Sequence, residues 1–273
     1  MSNYYLTPSN DPSRSKKLEA FDRLLTIMDE LRELCPWDKK QTMDSLRYLT
    51  IEEVYELSDA IVNKDYNELE KELGDILLHI VFYAKIGSEK KIFDIESVLT
   101  AIADKLVNRH PHIYSDVKVS GEKEVKDNWE KIKLKEKGNK SVLGGVPNSL
   151  PALVKAMRIQ EKASGVGFEW DNKEQVWHKV EEEIQEFVEE LETNPQTEED
   201  KLRLEDEFGD IIFSLINYSR FIGINPENAL ERTNRKFIKR FQYIENQAKE
   251  RGNSLVDMNL DEMELLWQAA KKA

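Results

Sequence analysis

The chain is predicted to be all-α, built from two tandem copies of one helical unit. Three observations predict this. Apolar residues recur at helical spacing nearly throughout, and no alternating, strand-like stretch stands out. Only 11 glycines and 8 prolines interrupt 273 residues. Two acidic signatures each occur twice, in the same order: Glu52-Glu53-x-x-Glu56 then Glu72-x-x-Asp75, and Glu182-Glu183-x-x-Glu186 then Glu207-x-x-Asp210.

Residues 1–15 form a polar tail. Leu18, Phe21, Leu25 and Met28 mark the apolar face of a first helix. A second runs from about Thr50 to Val62, where Thr50-x-x-Glu53 fits a capping box. A third spans Asn67 to Ile86, and a fourth Ile95 to Arg109, with Pro111 helping to end it. A shorter helix around Trp129 completes a first repeat, residues 16–137. Glycines and prolines then cluster in a linker, residues 138–150. The second repeat, residues 151–273, follows the same plan. Ala152 to Ala163 is its first helix, and Lys173 to Glu192, capped at Asp171-x-x-Glu174, is its second. Glu198 to Phe221 is the third. Asn225-Pro226, a capping residue followed by proline at the first helical position, opens the fourth. A last helix carries Trp267.

The halves register residue by residue. Trp37-Asp38 matches Trp170-Asp171, Lys105 and Arg109 match Lys236 and Arg240, and Trp129 and Lys133 match Trp267 and Lys271. With the acidic signatures, every offset lies between 130 and 138, and the drift falls in loops, where insertions are tolerated.

Composition excludes some classes of partner. A formal net charge of -13 argues against a nucleic-acid backbone or an anionic membrane. A small phosphate ligand stays open, because a bound cation inverts the local charge. The single cysteine, Cys35, can form neither an intrachain disulfide nor a cysteine-based zinc site. The chain starts without an apolar signal-peptide core, and its strongest apolar run, Ile76 to Ala84, is interrupted by His79 and far short of the ~20 residues of a membrane span. A soluble, cytosolic protein is expected.

The acids carry the chemistry. Residues three and four apart share a helix face, so each signature lines its carboxylates along one side. Two such faces opposed make an oxygen-lined cavity, which suits Mg²⁺ bound alongside substrate phosphates. Charged residues on helices are more often a solvated face, and Glu53 has a capping role available. Asp75 and Asp210 resist that reading. Each is followed by apolar sequence, Ile76-Leu77-Leu78 or Ile211-Ile212-Phe213, so each helix should be buried on most sides. A carboxylate at such an edge is costly unless paired or coordinated. The preceding Gly74 and Gly209, each unfavourable in a helix by about 1 kcal/mol, would permit close approach. Lys236 and Arg240 lie one turn apart beside Phe237 and Phe241 and suit a phosphate chain, with ion pairing to surplus acids as the bland alternative. Trp267 and Lys271 share a face; Trp267 would either stack on a base or pack in the core. His110-Pro111-His112 reads as structural, lacking further ligands, and no P-loop, Rossmann glycine pattern or Ser/His/Asp constellation appears.

Taken in order, these motifs resemble the MazG nucleoside triphosphate pyrophosphohydrolases. The resemblance rests on "ELGDILLHIVFYA" and "EFGDIIFSLINYS" and is strengthened by "CPWDKKQT", "DKLVNRHPHIY" and "SLPALVKAMRIQEKASGVGFEWD". It covers nearly the whole chain from about residue 18. It implies tandem units resembling four-helix-bundle domains, a homodimer, and Mg²⁺-dependent hydrolysis of nucleoside triphosphates to the monophosphate and pyrophosphate, with Mn²⁺ an accepted replacement. The second repeat would carry most of the activity. Carried over by motif, Glu182, Glu183, Glu186, Asp206, Glu207 and Asp210 would bind metal, with Glu182 or Glu183 as general base. Lys236, Arg240, Trp267 and Lys271 would contact the nucleotide. A second site in the first repeat would draw on Glu52, Glu53, Glu56, Glu72, Asp75, Lys105, Arg109, Trp129 and Lys133. There Lys71 stands where the second repeat has Asp206, and Ala103 where it has Asn234, which predicts a weak or structural copy. Two rivals remain: a narrower dUTP or dCTP pyrophosphatase, and a non-enzymatic helical scaffold whose acids bind cations for structure.

Overall fold

A computed structural model describes residues 11–121, 124–125, 128–129, 132, 141–194, 196–252 and 254–272. Among the described residues there are helices and turns and no strand. The chain divides into two compact units, Met1–Ser120 and Gly121–Ala273.

The first unit contains α1 (Arg14–Leu34), α2 (Met43–Asn63), α3 (Tyr66–Glu89), α4 (Ile95–Arg109) and the single turn α5 (Pro111–Tyr114). Its organising feature is the α2–α3 hairpin. Lys64 ends α2 in the left-handed region at φ 56°, and Asp65 caps α3 by accepting from the N–H groups of Asn67 and Glu68. A connection this short forces the two helices antiparallel and side by side. α1 closes over the hairpin. Met28, Leu46, Val81, Phe82 and Ile86 form the buried cluster, with Phe21 and Leu25 packed against it. Arg32 fastens α1 to α3 with a forked ion pair to Glu89, at 3.0 and 2.5 Å, and also donates to the carbonyls of Asp38 and Gln41.

The second unit contains α6 (Ala152–Ser164), α7 (Lys173–Glu192), α8 (Glu198–Phe221), α9 (Pro226–Glu250) and α10 (Leu260–Ala270). α7 and α8 form the matching hairpin. Asn194 takes the left-handed conformation at φ 56°, and Thr197 opens α8 with a reciprocal capping box to Asp200. Those bonds hold the Asp200 carboxyl down at about 2, the Thr197 backbone N–H contributing most. Val176, Val180 and Ile216 are buried along the hairpin, Ala156 on α6, Ile244 and Ala248 on α9, and Leu266 on α10.

Several local expectations are corrected. α2 begins at Met43, where Thr42 and Ser45 form the capping box, so Thr50 lies inside the helix. Its hydroxyl instead donates to the Leu46 carbonyl and meets Tyr83 and His79 from α3, at 2.8 and 2.9 Å. The cap of α7 is Asn172, one residue after Asp171. Leu18 is exposed, because α1 reaches the core only with its later turns. Leu73, Leu77 and Ile80 are exposed on α3, as are Phe208, Ile212 and Leu215 on α8, so neither helix is buried all round within its own unit. A Cβ at Gly74 or Gly209 would meet nothing within 4 Å, so neither glycine marks a close approach inside its unit.

Candidate metal and nucleotide site

The hairpins explain why the acidic signatures face each other. Each presents the Glu-Glu-x-x-Glu side of one helix to the Glu-x-x-Asp side of the next, and the antiparallel packing brings the two signatures to the same level. In the first unit, carboxylate oxygens of Glu53, Glu56 and Glu72 all lie within 4.8 Å of one another; in the second, those of Glu183, Glu207 and Asp210 do. The two trios share two registered positions, Glu53 with Glu183 and Glu72 with Glu207. They differ in the third.

Burial is distributed differently. In the first trio Glu72 is fully buried, and its Oε2 has no hydrogen-bond partner. Its Oε1 receives Lys71 Nζ at 3.0 Å, which holds the Glu72 carboxyl below the ordinary glutamate range. Burial, then the charge of Asp75, pushes Glu53 up, and the charge of Glu72 pushes Glu56 up. In the second trio Glu183 is the buried member, Glu207 half-buried and Asp210 exposed. Lys179, one turn before Glu183, bridges Glu182 at 2.7 Å and Glu183 at 2.8 Å, and the Lys179 ammonium is pushed up by Glu182 and then Glu183. A hydrogen bond with Glu183 raises Glu186. Like charges crowded this closely fit a hard divalent cation, and in the first trio the unpartnered Glu72 Oε2 fits one as well.

Of the other expected ligands, Glu52, Glu182 and Asp206 are exposed and outside the converging trios. Asp206 directly precedes Glu207 on α8, and adjacent helical residues do not share a face. Asp75 is half-buried beside the first trio.

Sequence reasoning missed the cavity beside the second trio. It encloses about 620 Å³, and Lys179, Glu183 and Asp210 stand in its wall. Ile159, Phe168, Trp170, Val176 and Phe213 supply apolar surface. Gln160, Ser214 and Asn217 add polar groups. Gly167, at φ +89°, turns the chain after α6 so that Phe168 and Trp170 reach this wall. Arg220 on α8 forks onto Glu169 and fastens the same loop. Gln160 donates through Nε2 to the Phe213 carbonyl at 2.8 Å, tying α6 to α8. The signal available in the sequence was "GVGFEWD", which placed two aromatics just before the acidic helix.

The basic group lies elsewhere. Arg240 on α9 sits 5.5 Å over the Trp267 ring, and Phe237 packs 5.0 Å from the same ring. Lys271 donates to Gln268 at 3.0 Å. The cavity walls come from residues 143–220, so Lys236, Arg240, Trp267 and Lys271 do not line it within this unit. In the first unit Lys105 is exposed on α4 and Arg109 occupies its last turn. Trp129 is helical and half-buried and falls in the second compact unit; Lys133 lies outside the described residues. His110 Nδ1 lies 2.6 Å from the Leu106 carbonyl, consistent with a structural role.

Comparison with known proteins gives a consistent result. The family model described as the MazG nucleotide pyrophosphohydrolase domain matches residues 41–114 and again residues 171–244. Each match spans one acidic hairpin. The chain is 41% identical over 261 residues to a nucleoside triphosphate pyrophosphohydrolase of Escherichia coli K12, covering 93% of this chain and 98% of that one. It is 42% identical over 255 residues to the nucleoside triphosphate pyrophosphohydrolase/pyrophosphatase MazG of Thermotoga maritima, covering 92% and 95%. It is also 46% identical over 267 residues to the uncharacterized protein YabN of Bacillus subtilis, covering 96% of this chain and 54% of that one. With two copies of the domain, each built around an acidic helical hairpin, the chain belongs to the MazG nucleotide pyrophosphohydrolase family.

Proposed function

We propose that this chain hydrolyses nucleoside triphosphates to the monophosphate and pyrophosphate, accepts several bases, and does so at the second-unit trio with Mg²⁺, which Mn²⁺ can replace. The observation that carries the reading is the meeting of Glu183, Glu207 and Asp210 beside a cavity large enough for a nucleoside, with Glu183 and Asp210 in its wall. Full-length similarity to nucleoside triphosphate pyrophosphohydrolases supports the reaction.

Glu183, Glu207 and Asp210 would hold the cation, with Glu186 beside them. Bound there, Mg²⁺ supplies charge neutralisation and polarisation of the phosphoryl oxygens. Lys179 is the phosphate contact that the geometry supports, since its ammonium already stands in the cavity wall and can exchange Glu182 and Glu183 for phosphate oxygens. Glu182, outside the trio, would then be free to take the proton of the attacking water. The water oxygen bonds to phosphorus as the bond to the pyrophosphate oxygen breaks. Lys236, Arg240, Trp267 and Lys271 are assigned to the nucleotide by resemblance alone.

A cytoplasmic homodimer is the proposed form. Exposed apolar residues support the dimer: Leu99, Ile102 and Leu106 on α4, and Leu230, Phe237 and Ile238 on α9, stay uncovered within their own units. Among the described residues, no helix is long and apolar enough to cross a membrane.

Pyrophosphate release from a panel of ribo- and deoxynucleoside triphosphates, with and without Mg²⁺, tests the reading. Release from several bases, abolished by EDTA, is expected. Release from a single nucleotide would replace broad hydrolysis by a specialist enzyme, and none from any would refute the reaction.

A further inference from the structure

We propose that the segment between the two repeats is part of the substrate site: residues 141–150 form a strap, held along α6 by Lys155 and Lys162, that sets Leu143 in the wall of the second-unit cavity to pack against the nucleobase.

Two lysines fix the course of the strap. Lys162 Nζ donates to the Val142 carbonyl at 3.2 Å, and Lys155 Nζ donates to the Asn148 carbonyl at 2.8 Å. The two lysines are seven residues apart, two helical turns, so both side chains leave α6 along one stripe. The order of the contacts runs the strap antiparallel to α6, with Val142 near the end of the helix and Asn148 near its start. Among the described residues neither lysine makes an ion pair, although the chain holds 53 acidic side chains against 40 basic ones. Both ammonium groups serve the backbone of the strap instead, and a hydrogen bond from a charged donor is among the stronger ones.

Leu143 sits within two overlapping turns of this strap. The Gly144 N–H donates to Ser141 Oγ at 2.8 Å, and the Val146 N–H donates to the Leu143 carbonyl at 3.0 Å. A Cβ at Gly144 would lie 2.9 Å from that same Ser141 Oγ, so the turn is closed tightly around a glycine. Leu143 stands in the wall of the cavity of about 620 Å³, as do Ile159, Gln160 and Ala163 from the adjoining stripe of α6. It nevertheless remains 45% exposed. A held apolar side chain left this far in water gains from an apolar ligand surface laid over it. Of the parts of a nucleoside triphosphate, the base offers such a face, while the phosphates belong with the cation at Glu183 and Asp210. The inference rests on the reading of this cavity as the nucleotide site.

The test compares the full-length wild type with Leu143→Ala, with Lys155→Met combined with Lys162→Met, and with the corresponding pair of arginine substitutions. Three quantities are measured with Mg²⁺: kcat and KM for the best triphosphate substrate, inhibition by inorganic tripolyphosphate, which has no base, and calorimetric binding of an α,β-methylene nucleoside triphosphate. Leu143→Ala should raise KM by about 3- to 10-fold, weaken the analogue equally and leave kcat within about twofold. Tripolyphosphate inhibition should not change. The methionine pair should give the same pattern by releasing the strap, and the arginine pair, which can still donate to the two carbonyls, should recover most of the affinity. An unchanged KM in Leu143→Ala or in the methionine pair would overturn the proposal. So would tripolyphosphate inhibition that weakens in step with KM, since the loss would then lie at the phosphates. An active wild type with unaffected variants would sink the strap and keep the reaction. An inactive wild type that binds the analogue, with Leu143→Ala binding it more weakly, would sink the reaction and keep the strap. No binding of the analogue to any of the proteins would sink both.

Discussion

Removing one charge from the second trio should stabilise the metal-free protein while crippling the enzyme. The perturbation is Glu207→Gln, which keeps the side chain's shape and removes a carboxylate that converges with Glu183 and Asp210 within 4.8 Å. At that distance two like charges repel by about 3.5 kcal/mol at an effective dielectric of ~20, and by about 0.9 kcal/mol in bulk water. Glu207 is half-buried and Asp210 exposed, so the effective repulsion lies toward the lower figure. Glu183 is already partly neutralised by Lys179. Relief of about 1–2 kcal/mol is expected, equivalent to roughly 2–8 °C in melting temperature for a unit of this size. The same change removes one of three anionic ligands, so pyrophosphate release should fall by about a hundredfold or more. Differential scanning calorimetry in EDTA and the release assay in excess Mg²⁺ read the two effects. A variant that melts lower than wild type in EDTA, yet hydrolyses within about threefold of it, would refute both the charge crowding and the ligand role.

Glu72→Ala should keep most of the activity, since the chemistry is assigned to the second unit; loss comparable to Glu207→Gln in the release assay would move the site. Lys179→Met should lower kcat/KM by roughly 10- to 100-fold, from loss of a phosphate contact, with the defect seen for every base. Phe168→Ala, which strips an aromatic wall from the cavity, should raise KM more than it lowers kcat, and a pure kcat effect would argue against nucleoside binding there. His79 makes a prediction about pH. Burial holds its imidazole below the ordinary value, with the charge of Asp75 opposing, so the unfolded chain takes up a proton that the folded chain resists. Its contribution to stability is therefore complete above about pH 6.5 and lost as pH falls through that value toward the folded pKa. The stability difference between wild type and His79→Gln should shrink over that range, and a difference independent of pH would refute the assignment.

Much of the fold was legible because helices are local. The Ile95–Arg109 extent of α4, Asn225-Pro226 opening α9 and the boundaries of α7 and α8 follow from residues within one or two turns. The start of α2 was misjudged because Thr50-x-x-Glu53 and Thr42-x-x-Ser45 offer the same capping chemistry. Which one caps is decided by packing: Leu46 is buried in the core, so the helix must already be formed there.

The site divides along the same line. The sequence by itself determined that the unit is duplicated and that each copy carries two helices with carboxylates in phase, because helical phase depends only on spacing. It could not determine which acids meet. That depends on the depth at which two helices pack, and tertiary structure alone chose Glu53, Glu56 and Glu72 in one unit but Glu183, Glu207 and Asp210 in the other. The cavity was hidden for the same reason, since Ile159, Trp170, Val176 and Phe213 come from three helices and a loop that only packing brings together. So was Lys179: along the chain it is one more lysine before an acidic run, and it becomes a candidate phosphate ligand only because the hairpin buries Glu183 behind it. Helical phase is written in a few neighbouring residues, whereas convergence between helices belongs to the folded unit.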